Sequence, residues 1–206
     1  MNEQLFKVYA EERARLAAAA QDGGTGEFGS PVFGEGPLSP QLMLIGEAPG
    51  AEEMRQGHPF VGKAGKNLDG LLALAGIVRE DVFVTNAVKF RPTHVKPRSV
   101  SNRTPSPAEL RGGLPALRRE LALVRPAVVA TLGNTPLRAL CLITGHTPLL
   151  IGDVHGCMQT FELGGMPLNV FPLYHPASVI YNKALLPALE EDAKRLGSIL
   201  REMKEA

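Results

Sequence analysis

Four short runs of apolar and β-branched residues are spaced along the chain, and polar residues, Gly or Pro follow each run at once. The runs are LMLI (42–45), VFVT (82–85), AVVATL (127–132) and LNVFPLY (168–174). Between the first and second runs, and between the second and third, leucines recur every three or four residues, which predicts amphipathic helices. This alternation of strand and helix predicts an α/β fold with a mostly parallel sheet.

Two further helices are predicted at the ends of the chain. Apolar residues recur at helical spacing from Leu5 to about Ala20 and again over 184–203. Residues 22–41 hold too many Gly and Pro residues for either periodicity and are predicted to form a loop. Because no repeat or domain boundary is evident, we expect one domain over 1–206, with 1–29 as its N-terminal helix and loop. The expected architecture is a three-layer sandwich with a central four-stranded parallel sheet flanked by helices.

The charge of the chain is balanced, with 22 Lys and Arg against 21 Asp and Glu, a net charge of +1 over 206 residues. Any contact with nucleic acid must therefore come from a local basic patch. Residues 89–103 form such a patch, because they contain five Lys or Arg residues and no acid. This segment is either a solvated basic loop or a phosphate-binding surface. Its basic residues are Lys89, Arg91, Lys96, Arg98 and Arg103.

The cysteines and the N-terminus favour a cytoplasmic protein. Cys141 and Cys157 are the two cysteines, and no CxxC motif occurs, which excludes a disulfide framework and a four-cysteine metal site. The first 15 residues carry charges throughout, unlike a signal peptide. No segment approaches the about 18 consecutive apolar residues of a membrane span. We therefore expect neither a membrane contact nor a bound metal.

Three polar side chains follow predicted strands. Ligands bind beyond the carboxyl ends of the strands in an open parallel sheet, so we expect Glu47, Asn86 and His175 at one edge. Glu47 either caps a helix or takes part in chemistry. The Asn86 amide either forms an Asx turn or bonds to a flat imide or amide edge such as that of uracil. His175 is either structural or donates to an anion that develops on a ligand.

Two apolar features adjoin these residues. Residues 46–65, GEAPGAEEMRQGHPFVGKAG, are rich in Gly but match neither GxGxxG nor GxxxxGK[ST], which disfavours a dinucleotide or triphosphate site. Within them, Phe60 is either a core residue or a platform for a flat base. Val179 and Ile180 are either core residues or an apolar wedge for a base stack.

In this order, six segments resemble the uracil-DNA glycosylase superfamily, nearest its family 4 bacterial and archaeal enzymes. They are VFGEG (32–36), LIGEAPGAEEMRQGHPFVGKAG (44–65), TNAVK (85–89), TPSPAEL (104–110), VVATLGN (128–134) and FPLYHPASVIYN (171–182). The resemblance implies a glycosylase that hydrolyses the glycosidic bond of uracil in DNA and leaves an abasic site. It also implies a substrate of double- or single-stranded DNA and a monomeric protein in a bacterial-type cytoplasm, associated with the nucleoid through DNA.

The resemblance also implies roles for individual residues. Phe60 would stack on a flipped-out uracil, Asn86 would bond to its polar edge, and His175 would stabilise negative charge on uracil O2. Glu47 would position or polarise the attacking water, and Gly46 and Ala48 would line the pocket. The expected DNA contacts are the five basic residues of 89–103 together with Ser178, Val179 and Ile180.

Alternatives to this activity remain open. The chain could excise another deaminated base such as hypoxanthine, because the Asn86 amide can flip to suit several edges. It could also be a DNA-binding module that recognises lesions without cutting. We expect a monofunctional enzyme because Lys63 and Lys89 are the only lysines near the motifs, and Lys89 is better explained as a phosphate or scaffold contact.

Two departures from family 4 change the expectations. Members usually ligate an iron–sulfur cluster with four cysteines, but here those places hold the AAAAQDGG stretch, Phe90 and approximately Gly113. We expect no cofactor, with apolar packing around Phe90 and Leu114 in place of the cluster. The loop between Lys89 and Thr104 is longer than in family 4 and resembles that of relatives that crosslink to uracil-DNA through a histidine. Asn102 stands in that place, so we expect turnover rather than a trapped adduct.

Overall fold

The computed structural model describes residues 2–21 and 30–205 and contains a five-stranded mixed sheet. The described residues form five strands of this sheet and two of a separate hairpin: β1 (Leu42–Gly46), β2 (Val82–Asn86), β3 (Thr93–Lys96), β4 (Ser99–Asn102), β5 (Val128–Leu132), β6 (Gln159–Leu163) and β7 (Met166–Leu173). The main sheet has the order β2, β1, β5, β7, β6, and β3 pairs with β4 in a separate hairpin. The four predicted strands are confirmed and run parallel, while β6 adds an antiparallel edge strand beside β7.

Helices connect the strands. They are α1 (Glu3–Gln21), α2 (Ala51–Gln56), α3 (Lys63–Ala75), α4 (Pro107–Val124), α5 (Asn134–Thr144), α6 (Ile151–Val154), α7 (Ser178–Tyr181) and α8 (Leu186–Glu205), with short 3₁₀ turns at Arg79–Asp81 and Lys183–Leu185. The predicted terminal helices are confirmed as α1 and α8. Of the predicted loop over 22–41, residues 22–29 lie outside the described residues. In its remaining part, Glu35 bridges Val84 at the edge of β2.

The central strands are buried on both faces, because successive side chains point to opposite sides. Met43 and Ile45 of β1 face a hydrophobic cluster with α1, α4 and α5, whereas Leu42 and Leu44 face a second cluster with α3 and α8. Helices thus cover both faces of the sheet, which confirms the predicted three-layer sandwich.

The connections open a crevice between β1 and β5, which lie side by side. The chain leaves β1 towards α3 on one face and leaves β5 towards α5 on the other. Such a switch point at the carboxyl ends of parallel strands is where open α/β sheets bind ligands. No helix in the described part of the chain is long and apolar enough to cross a membrane.

Candidate active site

Two adjoining cavities, of about 510 and 410 Å³, lie at the carboxyl ends of the strands. Ala48, Asn102 and His175 line both cavities. Glu47 lines the larger cavity, whereas Phe60 and Asn86 line the smaller one. The structure therefore brings together Glu47, Asn86 and His175, which the sequence placed at this edge, and adds Phe60 beside them.

Asn86 ends β2 and lies beside Gly46, its partner in β1. The residue is only 2% exposed. Its amide makes no hydrogen bond to another residue in the described ranges, although it lines the smaller cavity. A Cβ added to Gly46 would lie 2.5 Å from Phe60 Cζ and would also overlap Asn86 Oδ1. Only glycine therefore fits at position 46, and the Asn86 amide is left for a ligand.

Phe60 adopts an uncommon backbone conformation, with φ at +57°. Left-handed residues other than Gly cost free energy and are enriched at functional sites. The ring packs in the hydrophobic cluster of Leu44 and Leu68 and also lines the smaller cavity. Its centroid lies 6.3 Å from that of His175, with the ring planes tilted by 31°. Phe60 is thus both a core residue and one wall of the cavity.

Glu53 fixes the two glycine loops around the smaller cavity, a role that the sequence analysis missed. Its carboxylate accepts hydrogen bonds from the Gly50 N–H at 3.1 Å and the Gly62 N–H at 2.8 Å. Asn67 of α3 donates to the Pro176 carbonyl at 3.1 Å and so ties α3 to the loop that carries His175. The spacing of Gly50 and Glu53 at the start of α2 matches a capping box and could have indicated part of this arrangement.

His175 follows β7, and its surroundings fix its protonation. The Ala177 N–H donates to Nδ1 at 3.1 Å, so Nδ1 is an acceptor and the proton of the neutral ring is on Nε2. Burial lowers the pKa of the imidazole below its ordinary value, because desolvation disfavours the cation. His175 is therefore a neutral donor at the wall between the two cavities.

We expect His175 to titrate below pH 6.5, the ordinary value for histidine, and to be neutral at pH 7. The unfolded chain then binds more protons than the folded chain just below that ordinary value, so the free energy of unfolding falls as the pH drops through this window. ¹⁵N-edited NMR of histidine-labelled protein, assigned with a His175→Gln variant, measures the titration. A His175 pKa at or above the value of free histidine would contradict this assignment.

Glu47 is held by Thr135, which the sequence analysis did not single out. The Thr135 hydroxyl donates to Glu47 Oε2, and Thr135 lies in the first turn of α5. This bond joins the ends of β1 and β5 across the crevice, and it leaves Glu47 Oε1 for another donor. The alternative in which Glu47 caps a helix is wrong, because α2 begins after Gly50 and its capping carboxylate is Glu53.

The predicted DNA contact at Lys89 is wrong, because this side chain is fully buried. Its ammonium donates to Glu120 Oε2 at 2.6 Å, to Thr85 Oγ1 at 2.7 Å and to the Asn86 carbonyl at 2.7 Å. All three ammonium protons are thus used within the protein. Of the two roles considered for Lys89, the structure supports the scaffold.

The other basic residues of 89–103 differ in their freedom to bind a ligand. Arg103 forms two hydrogen bonds of 2.6 Å with Glu109, and this guanidinium holds the pKa of Glu109 at about 2. Arg91 donates to Asn102 Oδ1 at 2.7 Å. Lys96 and Arg98 are exposed on the β3–β4 hairpin and form no hydrogen bond or ion pair with the rest of the described chain. These two are the cations most available to a partner.

The segment after His175 forms the short helix α7. The Ser178 hydroxyl is buried and has no hydrogen-bond partner among the described residues. Val179 is half-buried, whereas Ile180 is 52% exposed. Tyr181, which the sequence analysis did not single out, is 90% exposed and lines the smaller cavity with Ile180. An apolar and aromatic edge therefore borders this cavity.

Comparison with known proteins places this site in a family. A profile described as "Uracil DNA glycosylase superfamily" matches residues 33–197. The chain belongs to this superfamily. It is similar to proteins named "Type-4 uracil-DNA glycosylase" from Saccharolobus solfataricus (39% identical, covering 82% of this chain and 76% of the relative), Pyrobaculum aerophilum (37%, 78% and 79%) and Archaeoglobus fulgidus (36%, 82% and 81%).

The cysteines of this chain do not provide the four thiolate ligands of the iron–sulfur cluster that the resemblance to family 4 implies. The chain contains two cysteines rather than four. Cys141 is buried in α5, whereas Cys157 is exposed. Within residues 2–21 and 30–205, no group of three or more His, Cys, Asp or Glu side chains is placed to hold a metal ion.

In the part of the chain that the structure describes, closely packed residues occupy the positions where family 4 proteins have cysteines. Phe90 lies in the hydrophobic core, with Leu114 packed against that cluster. A Cβ at Gly113 would overlap the Ala87 carbonyl oxygen and lie 3.5 Å from its carbon, so the backbones are too close for a cysteine there. The AAAAQDGG stretch ends α1, and its last three residues lie outside the described part.

We expect protein purified without oxygen to contain much less than one iron per chain, because four thiolate ligands are not available. Iron and acid-labile sulfide assays measure this directly. About four irons per chain, the content of a complete cubane cluster, would contradict the expectation and would require ligands other than these cysteines.

Proposed function

We propose that this protein is a uracil-DNA glycosylase that hydrolyses the bond between uracil and deoxyribose and leaves an abasic site. The observation that carries the proposal is the Asn86 amide, which is buried, unpaired among the described residues and placed in one cavity with Phe60 and His175. The names of the similar proteins support the choice of uracil.

The smaller cavity takes the base in this proposal. A flipped-out uracil stacks on the Phe60 ring and bonds to the Asn86 amide, which can offer a donor and an acceptor in one plane. Ala48 forms part of the wall, and the lack of a side chain at Gly46 leaves room for the Phe60 ring and the Asn86 amide to line the pocket. These contacts offset the free energy lost when the base leaves the DNA stack.

Bond cleavage depends on stabilising the leaving group. As the C1′–N1 bond breaks, its electron pair passes to the base, and negative charge develops on uracil O2. The neutral His175 donates its Nε2 proton in a hydrogen bond to that oxygen. This bond strengthens as charge develops, so it stabilises the transition state more than the ground state.

Glu47 lies in the adjoining cavity, where it serves the attacking water. Its Oε1 accepts a hydrogen bond from the water and positions or polarises it towards C1′, while Thr135 holds the other oxygen. The water oxygen bonds to C1′ and loses a proton, and the displaced uracil anion takes up a proton, so that the reaction consumes one water. The product is an abasic deoxyribose and free uracil, with no covalent intermediate. Lys89 is buried, and its three ammonium protons are hydrogen-bonded within the protein, which supports a monofunctional reaction. We also propose that the reaction uses no cofactor.

The proposed DNA surface surrounds the cavity mouth. Arg91, Lys96 and Arg98 contact phosphates, and Ile180 with Tyr181 enters the base stack beside the extruded nucleotide, with Val179 and Ser178 behind them. We propose a monomer that acts on cytoplasmic DNA.

A single-turnover assay tests the function. Purified protein is incubated with oligonucleotides that contain uracil as a single strand, opposite A or opposite G, or hypoxanthine, and alkali reveals abasic sites. We expect cleavage at uracil, and a relative preference for cytosine in an Asn86→Asp variant. Cleavage at hypoxanthine instead would favour the other deaminated bases, and binding without cleavage would favour a lesion-binding module. An adduct trapped by borohydride would contradict a monofunctional reaction and implicate Lys63, which lines the base cavity.

A further inference from the structure

The β3–β4 hairpin lies beside the cavity mouth. Thr93 pairs with Asn102 and Val95 with Val100. Directly paired residues of two antiparallel strands, and residues two positions along each strand, share a face. Because Asn102 lines both cavities, the face that carries it begins at the active site. Val95 and Val100 continue that face outwards, about 7 Å further along.

The hairpin is hydrogen-bonded to its surroundings at its base and exposed to solvent along the rest of its length. At the base, Arg103 donates its backbone N–H to the Pro92 carbonyl and its Nε to the Thr93 carbonyl, both at 3.1 Å. Glu109 and Arg91 complete this support through Arg103 and Asn102. Beyond the base, both strands are exposed on both faces. The hairpin is therefore an arm with a firm attachment and no covering layer among the described residues.

The exposed face of the arm is apolar, and its tip is cationic. Val95 is 69% exposed and Val100 is 51% exposed, although they pair directly. Lys96 and Arg98 follow at the tip, and the sequence from 89 to 108 contains no acidic residue. An apolar pair flanked by unpaired cations complements a polyanion that also carries apolar rings and sugars.

We propose that the β3–β4 hairpin is a DNA-binding arm that grips the strand carrying the target base. The Val95–Val100 pair packs on the nucleotides next to the extruded one, and Lys96 and Arg98 bind their phosphates. The strand enters the site past Asn102, and about 7 Å corresponds to about two nucleotides at the roughly 3.4 Å spacing of one strand. This inference rests on the proposed action on DNA but not on the identity of the excised base.

Site-directed photocrosslinking tests which strand the arm contacts. In a Cys157→Ser background, which removes the exposed thiol, a photoreactive maleimide is attached at Val100→Cys or, as a control, at Val78→Cys. Val78 is a similarly exposed valine near the amino end of β2, whereas the cavities lie at the carboxyl ends of the strands. We expect crosslinks from position 100 to the uracil-containing strand within about two nucleotides of the uracil. Crosslinks only to the complementary strand, or no more than from position 78, would overturn the proposal.

Binding measurements distinguish the contribution of the Val95–Val100 pair from that of Lys96 and Arg98 at the tip. Val95→Thr/Val100→Thr keeps the β-branched shape, and we expect Kd for uracil-containing DNA to rise on the order of tenfold, with Val78→Thr unchanged. Lys96→Gln/Arg98→Gln should reduce the slope of log K against log salt by about 1.4 to 1.8, because two phosphate contacts are lost. The matched control replaces the exposed Arg118 and Lys204 by Gln.

The outcomes distinguish this proposal from the proposed function. The effects of the arm variants are read as changes in Kd and in salt slope, since no residue of the apolar pair or the tip lines either cavity. If these variants bind with wild-type Kd and salt slope while uracil is excised, the arm proposal fails and the function stands. If the wild type excises no base, while the arm variants still weaken DNA binding, the proposed glycosylase activity is contradicted and the DNA-binding role of the hairpin is supported.

Discussion

Replacing His175 with Gln is expected to lower the single-turnover rate of uracil excision by about 10²- to 10³-fold, the usual effect of removing one donor to a developing oxyanion. The neutral ring donates through Nε2 because Nδ1 accepts the Ala177 N–H. A glutamine amide can donate too, but it is not held by that backbone bond. The expected loss falls on the chemical step, with Kd for uracil-DNA changed less than about threefold.

The measurement is a single-turnover rate at saturating enzyme across pH 5 to 9, about the working range of a histidine donor. His155→Gln is the matched control. His155 is also partly buried, but it bonds to Asp192 at 2.7 Å and its ring packs at a tilt against Tyr174, away from the base cavity. We expect that control to keep the wild-type rate when folded. A His175→Gln rate within about fivefold of wild type would place the main stabilisation of the leaving group elsewhere, since a lost oxyanion donor has a larger effect.

The convergence of Glu47, Asn86 and His175 could be predicted from sequence because it depends on a local rule. Each residue follows an apolar run at once or, for Glu47, after one glycine, and parallel strands bring their carboxyl ends to one edge. The strand β6 was missed, although the signal was present. Gly164 and Gly165, both with positive φ, form the two-residue turn between β6 and β7, and a Gly-Gly pair between two apolar stretches is typical of a hairpin.

The environments of Lys89 and Thr135 could not be predicted in this way. Lys89 lies in a run of basic residues, which is typical of a solvated surface, and its partner Glu120 is 31 residues away on α4. Thr135 contacts Glu47 only because β1 and β5 are neighbours, although 88 residues separate the two side chains. Such pairings depend on the order of strands and on helix packing. A run of like charges therefore indicates where cations occur in the sequence but not which of them reach solvent.

Lys89→Met is expected to lower the free energy of unfolding by about 3–5 kcal/mol, the usual range when one partner of a buried ion pair is removed. Methionine fills a similar volume, so the effect comes from charge rather than from a cavity. The Glu120 carboxylate, itself fully buried, would keep the Thr85 hydroxyl as a hydrogen-bond donor, at 3.2 Å, but would lose the positive charge that balances it. The Asn86 carbonyl would also lose its 2.7 Å bond to the ammonium.

Urea denaturation of three variants measures this effect. Lys89→Met/Glu120→Leu removes both charges and should recover most of the loss, because apolar replacements of a whole buried pair are often neutral or stabilising. Arg119→Met is the surface control, since Arg119 pairs with Glu11 in a solvent-exposed ion pair, and such pairs contribute little to stability. A Lys89→Met cost as small as that of Arg119→Met would show that the pair is not needed. A double variant that is stable but excises uracil slowly would show instead that the Lys89 bond to the Asn86 carbonyl holds the base-binding amide in place.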